Sequence, residues 1–407
     1  MSESIDLSVR LGDVVFKNPF IVGSGPTVKN IEQIRAASAA GWAGASLKLA
    51  IDPTPYLSLP PRYRWLKKEK IHIFTAEKRL NTEEALSLLE EGNRVSKDFV
   101  LIPTLTYDGE DDEGWGRLAR RFVDAGARVL ELNMCCPNMS FNLSNTGVAT
   151  EKKTGASLGN DPECLQLAVR SVTESVGVPV IVKFSPEGNQ LALVAHAALK
   201  AGAAAVGHAG NRLGIPDVDI RNPFSPVYRL QDQITLGCMS GPWLRPVALR
   251  DTYQMRHALG PDPFILGSGG VSDLESAVTQ IMVGSDAVWV CTETMLRGFD
   301  WLPRVLDQLV AYMKEMGFTT IRDFRDLLHK NIVSAGELTI RKGCAEVDPE
   351  KCTSCGLCWK IGHCSAIRHD EGVTVVDPEL CLACSTCVDV CPKQAIRMVE
   401  KAEGKKQ

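Results

Sequence analysis

Eight cysteines crowd into positions 352 to 391, in two runs of the form C-x2-C-x2-C that repeat at an offset of 29 residues. The first run is Cys352, Cys355 and Cys358, with Cys364 beyond it; the second is Cys381, Cys384 and Cys387, with Cys391 and Pro392 beyond it. Three thiolates at this spacing wrap a short loop and face one point, while the fourth cysteine reaches to the other cluster of a pair. The pattern predicts two [4Fe–4S] clusters. Cys352, Cys355, Cys358 and Cys391 should hold one, and Cys381, Cys384, Cys387 and Cys364 the other. Structural zinc is the competing reading, but its ligands come in pairs rather than as triplets with distal partners. The first run is irregular: Gly362 stands where the repeat predicts the fourth cysteine, and Cys364 follows two residues late without a proline. Disulfides fit poorly, because a 407-residue chain that opens on SESIDLSVRLGD, with no basic and apolar leader, is unlike the small secreted proteins that need them.

The rest of the chain reads as a globular α/β protein. Hydrophobic residues make up 44% of it, enough for a large core, and a formal charge of -4 provides no basic field for nucleic acid or an anionic membrane. No uncharged apolar run reaches spanning length. A small-molecule substrate and a cytoplasmic location are therefore expected, with no nucleic-acid or membrane partner.

Short apolar stretches alternate with amphipathic helical patterns over residues 1–315. Eight stretches read as strands: 20–25, 44–50, 100–106, 129–135, 178–184, 204–211, 263–270 and 287–293. Between them lie helical patterns such as 161–176, with Asp161 as N-cap and Pro162 in the first turn. Eight β/α units of this length are what a (β/α)8 TIM barrel requires, and LSVRLGDVVFKNP reads as a hairpin closing its floor. A doubly wound sheet is disfavoured because no G-x-G-x-x-G opens a helix after the first strand. A helical linker at 316–344 and a small α+β module at 345–407 complete the expected organisation.

In such a barrel the chemistry sits at the C-terminal strand ends. This chain places Ser24 and Gly25 after the first strand, Lys48 on the second, Asn133 on the fourth and Lys183 on the fifth. Asn211 ends the sixth, Gly269 and Gly270 the seventh, and Cys291 and Thr292 the eighth. Small residues at the last two strand ends suit a phosphate, because backbone N–H groups must approach the anion closely. Lysines on otherwise apolar strands ask for an anion or an electron-rich ring.

The C-terminal module resembles bacterial-type ferredoxins over roughly 345–400, where Ala366-Ile367 and Ala395-Ile396 recur at the repeat offset. NPF, ELNMCCPN, VPVIVKFSP, GCMSG, RPVALR and GSGGV, in that order ahead of such a module, resemble the flavin-binding subunits of bacterial dihydropyrimidine dehydrogenases. The barrel is also similar to dihydroorotate dehydrogenases. The resemblance implies FMN in the barrel, relaying electrons between the clusters and a bound ring substrate. It places Ser24 and Gly25 along the flavin ring, Lys48 in contact with it, and Lys183 beside its N1/O2 edge, where a cation favours the reduced anion. Asn133 and Asn211 fall where the family holds its substrate ring, and Gly241, Gly269, Gly270, Cys291 and Thr292 line the phosphate. Ser240 is a ribityl or phosphate ligand on the same reading.

Two departures bear on function. Adding hydrogen across a C=C bond needs an acid opposite the flavin. The family's cysteine for this task, read as preceding a Gly-Gln pair on the loop after the fourth strand, aligns with Leu158, which transfers no proton. Ser157 is then the nearest substitute, with Ser144, Lys153 and Thr154 on the same loop; Cys135 and Cys136 are read as packing beside the flavin. The second departure is Arg212, where the family carries threonine after its asparagine. A guanidinium aimed at the pocket implies an anionic substrate. The expected function is an FMN and iron–sulfur oxidoreductase that reduces or forms a C=C bond in a small cyclic or conjugated carbonyl compound. The alternative is an electron-transfer subunit with no substrate of its own. With no NAD motif in the chain, an NAD(P)H-flavin partner subunit or a soluble ferredoxin supplies electrons, and an oligomeric assembly is expected.

Overall fold

Strands buried on both faces read as near-continuous apolar runs, and the parallel strands of the larger unit do so apart from a few buried polar residues such as Glu131, Asn133, Lys183 and His208. These strands are Phe20–Val22, Gly44–Ser46, Val100–Ile102 with Thr104–Leu105, Leu130–Met134, Val180–Phe184, Ala205–His208, Phe264–Ser268 and Ala287–Val290. Every residue in these strands is buried. In this computed structural model the residues described are 5–52, 58–75, 77–136, 153–188, 190–215, 218–224 and 227–400. The chain divides into two compact units, Met1–Asn331 and Ile332–Gln407.

The strands pair in parallel in the order of a closed barrel, and Pro103 shows how the ring shuts. Val100–Ile102 pairs with Gly44–Ser46, while Thr104–Leu105 pairs with the fourth barrel strand through Thr104 opposite Glu131. These are two halves of one strand interrupted by a residue without an N–H. The Pro103 carbonyl still accepts from the Glu131 N–H at 2.9 Å. Nine paired segments thus make eight barrel positions, as the sequence pattern predicts. The expected hairpin is present as Val9–Leu11 against Val14–Phe16.

Helices between the strands bury one stripe each. In Asp112–Asp124 the buried residues Trp115, Leu118, Ala119 and Phe122 follow the 3.6-residue period. Asp111 accepts from the Gly114 N–H to start that helix. Pro162–Ser175 starts in the same way, with the Asp161 carboxylate accepting from the N–H groups of Glu163 and Cys164.

Two barrel loops carry structure that the apolar pattern does not announce. After the second and sixth strands, Tyr63–Leu66, Ile71–Phe74, Gly237–Ser240 and Arg212–Gly214 form one antiparallel sheet of four strands. The linker expected to be helical at 316–344 carries instead single 3₁₀ turns at Ile321–Asp323, Leu327–Asn331 and Ala335–Glu337. Its first part belongs to the barrel unit: Phe324 is fully buried, Arg325 pairs with Asp286, and His329 Nε2 lies 2.9 Å from the Val283 carbonyl.

In the smaller unit Gly343–Val347 pairs antiparallel with Ile396–Glu400, and Ile367–Asp370 with Val373–Val376. The recurring alanine and isoleucine pairs at 366–367 and 395–396 are buried, so the internal repeat supplies the apolar floor of the unit. Among the described residues no helix is long and apolar enough to cross a membrane.

Candidate active site and cluster-binding cysteines

Register sets the centre of the cleft. On adjacent parallel strands Lys183 stands directly beside Asn133, so an ammonium and an amide reach the barrel mouth together. Both are buried, and Lys183 Nζ donates to Glu131 Oε1 at 3.0 Å. Glu131 is held in turn by Ser46 Oγ at 2.6 Å, and Ser46 accepts from Trp289 Nε1 at 3.1 Å. The Lys183 ammonium also lies 4.6 Å from the Trp289 ring centroid. Burial works to lower the pKa of Lys183, but Glu131 together with the nearby Cys135 and Cys291 outweighs it and the net direction is up. Lys183 is therefore a fixed cation. Asn133 Oδ1 accepts from the Cys136 N–H at 3.2 Å, which folds the chain after the strand back over the amide.

One open cleft is lined by Ser24, Gly25, Lys48, Asn133, Lys183, Asn211, Ser240, Gly241, Gly269, Gly270, Cys291 and Thr292. The structure thus brings together every barrel residue expected to hold the flavin. A Cβ on Gly25 would stand 2.4 Å from Cys291 Sγ, so a glycine is what lets the first and eighth strand ends meet in the cleft lining. At the seventh strand end Gly269 and Gly270 adopt φ of 107° and 74°, conformations that side chains disfavour and that leave the backbone open to an anion. Thr292 Oγ1 donates to Ser240 Oγ at 2.9 Å, tying the eighth strand end to the four-stranded sheet.

The remaining expectations for the barrel site need correction. Ser157 does not line the cleft: its hydroxyl donates to the Thr154 carbonyl at 2.9 Å and accepts from the Thr154 N–H at 3.1 Å, closing the turn that enters a short helix. Leu158 is fully buried, Lys153 pairs with Asp161, and Ser144 lies outside the described residues. Arg212 is not in the lining either. Its guanidinium pairs with Asp251, a carboxylate only 1% exposed, and donates to the Asn211 carbonyl at 3.3 Å. A buried carboxylate needs such a cation, which takes Arg212 away from the substrate.

What the strand pattern misses is a wall of charge. In the extended stretch after Ile71–Phe74, Thr75, Glu77 and Arg79 are buried while Lys78 is exposed, so alternate side chains point inward. Glu77 and Arg79 line the cleft. Glu77 is shared: its Oε2 accepts from both Lys48 Nζ and, at 3.0 Å, Arg79 Nη1. Burial and the nearby Arg79 push the Lys48 ammonium well below its ordinary pKa. Arg79 Nη2 donates to Cys136 Sγ at 3.0 Å. The two neighbouring cysteines differ sharply. Cys135 is buried and its thiol is pushed up to about 12, chiefly by desolvation, whereas Cys136 is partly exposed in the cleft.

In the smaller unit the eight cysteines separate into two sets. Cys352, Cys355, Cys358 and Cys391 surround one cavity, walled by Thr374, Ala395 and Ile396. Cys364, Cys381, Cys384 and Cys387 surround another, walled by Ala345, Ile361 and Met398. Cys364 reaches the second set because its N–H bonds the Ile361 carbonyl at 3.0 Å, a turn that absorbs the two extra residues. The repeat extends to the backbone. Ser354 and Gly356 in one loop, Ala383 and Ser385 in the other, hold left-handed conformations at matching positions, which turn N–H groups toward the thiols. Ala395 N–H donates to Cys391 Sγ at 3.3 Å, and Ala345 N–H to Cys381 Sγ at 3.4 Å. His363 Nε2 lies 3.4 Å from Cys384 Sγ and draws that thiol down to about 7. Among the described residues no three such side chains close on a single-ion point; each quartet stands around a space.

A glycine-lined cleft at the mouth of an eightfold barrel, with a buried lysine and amides, in one chain with paired cysteine quartets, marks a flavin and iron–sulfur redox enzyme. The chain belongs to the dihydroorotate dehydrogenase family, whose model matches residues 6–313, and a 4Fe-4S binding domain matches 374–397. It is an oxidoreductase acting on CH–CH bonds. Over 364 residues it is 28% identical to the NAD-dependent dihydropyrimidine dehydrogenase subunit PreA of Escherichia coli, covering 87% of this chain and 84% of that protein. It is 26% identical over 335 residues to the chloroplastic NADP(+) dihydropyrimidine dehydrogenase of Arabidopsis thaliana, covering 79% and 76%. With the catalytic subunit of NAD(+) dihydroorotate dehydrogenase B of Pyrococcus furiosus it shares 28% identity over 329 residues, covering 80% and 100%.

Proposed function

We propose that the protein binds FMN in the barrel cleft and two [4Fe–4S] clusters on the cysteine quartets, and that it interconverts C–C and C=C bonds in a pyrimidine-like ring. When bound, the flavin held by the cleft residues would supply hydride chemistry, and clusters held by the cysteine quartets would supply one-electron chemistry. Asn133 and Asn211 offer paired donors and acceptors to a cyclic imide and fix the ring in the cleft. Lys183, kept charged by Glu131, stabilises negative charge on the flavin edge. Cys136 delivers the proton from its Sγ to the ring carbon adjacent to the one that receives hydride, and removes it in the reverse direction. The observation that carries this reading is the joint presence of Asn133, Asn211, Lys183 and Cys136 in the lining of one cleft. A pure relay has no use for two amides and an accessible thiol there.

The names of the relatives, with their NAD dependence and subunit designations, support an NAD(P)H-oxidising flavoprotein subunit as the electron partner. Replacing Cys136 with alanine should lower kcat for ring reduction by a factor of about 10² to 10⁴ while leaving bound flavin and iron unchanged. Ser157→Ala should retain activity. Full turnover in the Cys136 variant would remove that thiol as the acid.

A further inference from the structure

Resting on that reading, we infer that Glu131, Ser46 and Trp289 are positioning residues that aim the Lys183 ammonium into the cleft and so set how strongly the bound flavin holds negative charge. Four strands supply the parts: Ser46 comes from the second, Glu131 from the fourth, Lys183 from the fifth and Trp289 from the eighth. Their contacts close a ring. Lys183 Nζ donates to Glu131 Oε1, Ser46 Oγ donates to Glu131 Oε2, Trp289 Nε1 donates to Ser46 Oγ, and the face of the Trp289 ring meets the Lys183 ammonium. Both carboxylate oxygens are thus engaged, and the indole is held by its N–H while its π face steadies the cation. Gly207 on the sixth strand makes room for the indole, since a Cβ there would stand 2.4 Å from Trp289 Cζ3.

Two features separate this ring from ordinary core packing. All four side chains are buried, Ser46 and Glu131 completely, and an ion pair in such a place adds little stability over apolar residues of the same volume. Its charge therefore asks for a use. The ring is also polarised: Lys183 and Trp289 line the cleft, whereas Glu131 and Ser46 do not. Register explains this, because Lys183 stands opposite Asn133 at the mouth while Glu131 lies two residues earlier on the same strand as Asn133, one step deeper on the inward face. The pair presents its positive end to the bound ring and keeps its negative end in the barrel. The other titratable groups facing the ammonium are Cys135, Cys291, Lys48 and His208. Burial pushes both thiols up and Lys48 and His208 down, so near neutral pH Glu131 carries the negative charge that faces Lys183.

The test is a sulfite titration of the oxidised holoenzyme at pH 8, read from bleaching of the flavin band. Sulfite sulfur bonds to flavin N5 with its own electron pair and leaves negative charge at the N1/O2 edge, so its affinity reports the cation there without turnover or reduction of the clusters. Lys183→Met should weaken sulfite on the order of a hundredfold. Glu131→Gln keeps the shape of the side chain and removes its charge; it should weaken sulfite about tenfold, and adding Lys183→Met to it should cost less than about threefold more. Trp289→Phe keeps a ring but loses the N–H, and should weaken sulfite about threefold. Flavin content should match wild type in every variant. Unchanged or tighter sulfite in Glu131→Gln, or an equal cost of Lys183→Met with and without Glu131, overturns the inference and leaves the proposed function standing. Should Glu131→Gln fail to fold, unchanged sulfite in Trp289→Phe overturns it equally. Wild-type protein that carries no flavin to titrate defeats the proposed function, and this inference with it.

Discussion

In the barrel unit Trp42, Trp115, Phe122 and Phe184 are fully buried in a core that runs around all eight strands. The unit that follows has a buried cluster of five residues, Ala345, Cys358, Ile367, Cys387 and Ile396, and two of these five are cysteines of the proposed clusters. Apolar burial suffices to hold the first. In the second, strand pairs of four and five residues and a handful of apolar contacts fall short of what a small domain needs, and the proposed thiolate–iron bonds would make up the difference. On the proposed reading, one chain contains a unit that folds around its own side chains and another that folds around what it binds.

The sharpest way to break this contrast is to remove iron. Chelation under oxidising conditions should abolish amide-exchange protection across 343–400 while the barrel strands remain protected; a protected C-terminal unit free of iron would show that its small core is sufficient. Next in size is a cavity in the barrel. Trp115→Ala should cost about 3–5 kcal/mol of barrel stability in denaturant unfolding, with the cluster absorption of the native protein unchanged. A loss of iron in that variant at native conditions would mean that the two units are not independently stabilised.

The smallest effect expected is at a helix entry. Asp161 caps Pro162–Ser175, and its carboxyl is held at about 2, first by the hydrogen bond from Lys153 and then by the Cys164 N–H. Because the folded value lies below the unfolded one of about 3.9, the cap contributes its stability fully above that pH and loses it as pH falls toward 2. Asp161→Ala should therefore lower barrel Tm by about 2 °C near pH 6, with the difference from wild type shrinking below pH 4. A gap that stays constant down to pH 2 would show that the carboxylate charge is not what caps this helix.

Much of the barrel is legible in the sequence because its strands are buried on both faces and so read as apolar runs, down to Val100–Leu105 with a proline in its middle. Glycines and lysines at strand ends then mark the cleft. The antiparallel sheet was not legible: its strands are short, half-exposed and separated by more than a hundred residues, as with Ile71–Phe74 beside Gly237–Ser240. Glu77 and Arg79 were missed for a related reason, since their period-2 alternation carries charge inward, opposite to the usual rule. FTAEKRL even points the other way, since Glu77 and Arg79 alternate with Phe74, Ala76 and Leu80 and so read as the solvent face. Arg212 misled because a lone arginine at a strand end says nothing about Asp251, 39 residues away. Ser157 misled because position on a loop does not reveal that its hydroxyl is consumed by its own turn.

The cysteine repeat was readable in another way, through spacing alone, and even the late Cys364 falls into the expected quartet once a single turn shortens its path. Chemistry that demands fixed spacing leaves a stronger trace in sequence than chemistry assembled from distant loops.

The account is tested most directly by anaerobic purification followed by flavin and iron analysis of the same sample. It predicts one FMN and about eight iron atoms per chain, with a visible spectrum that bleaches on reduction. Oxygen-free protein that proves colourless, or that carries flavin with only about four irons, would contradict it.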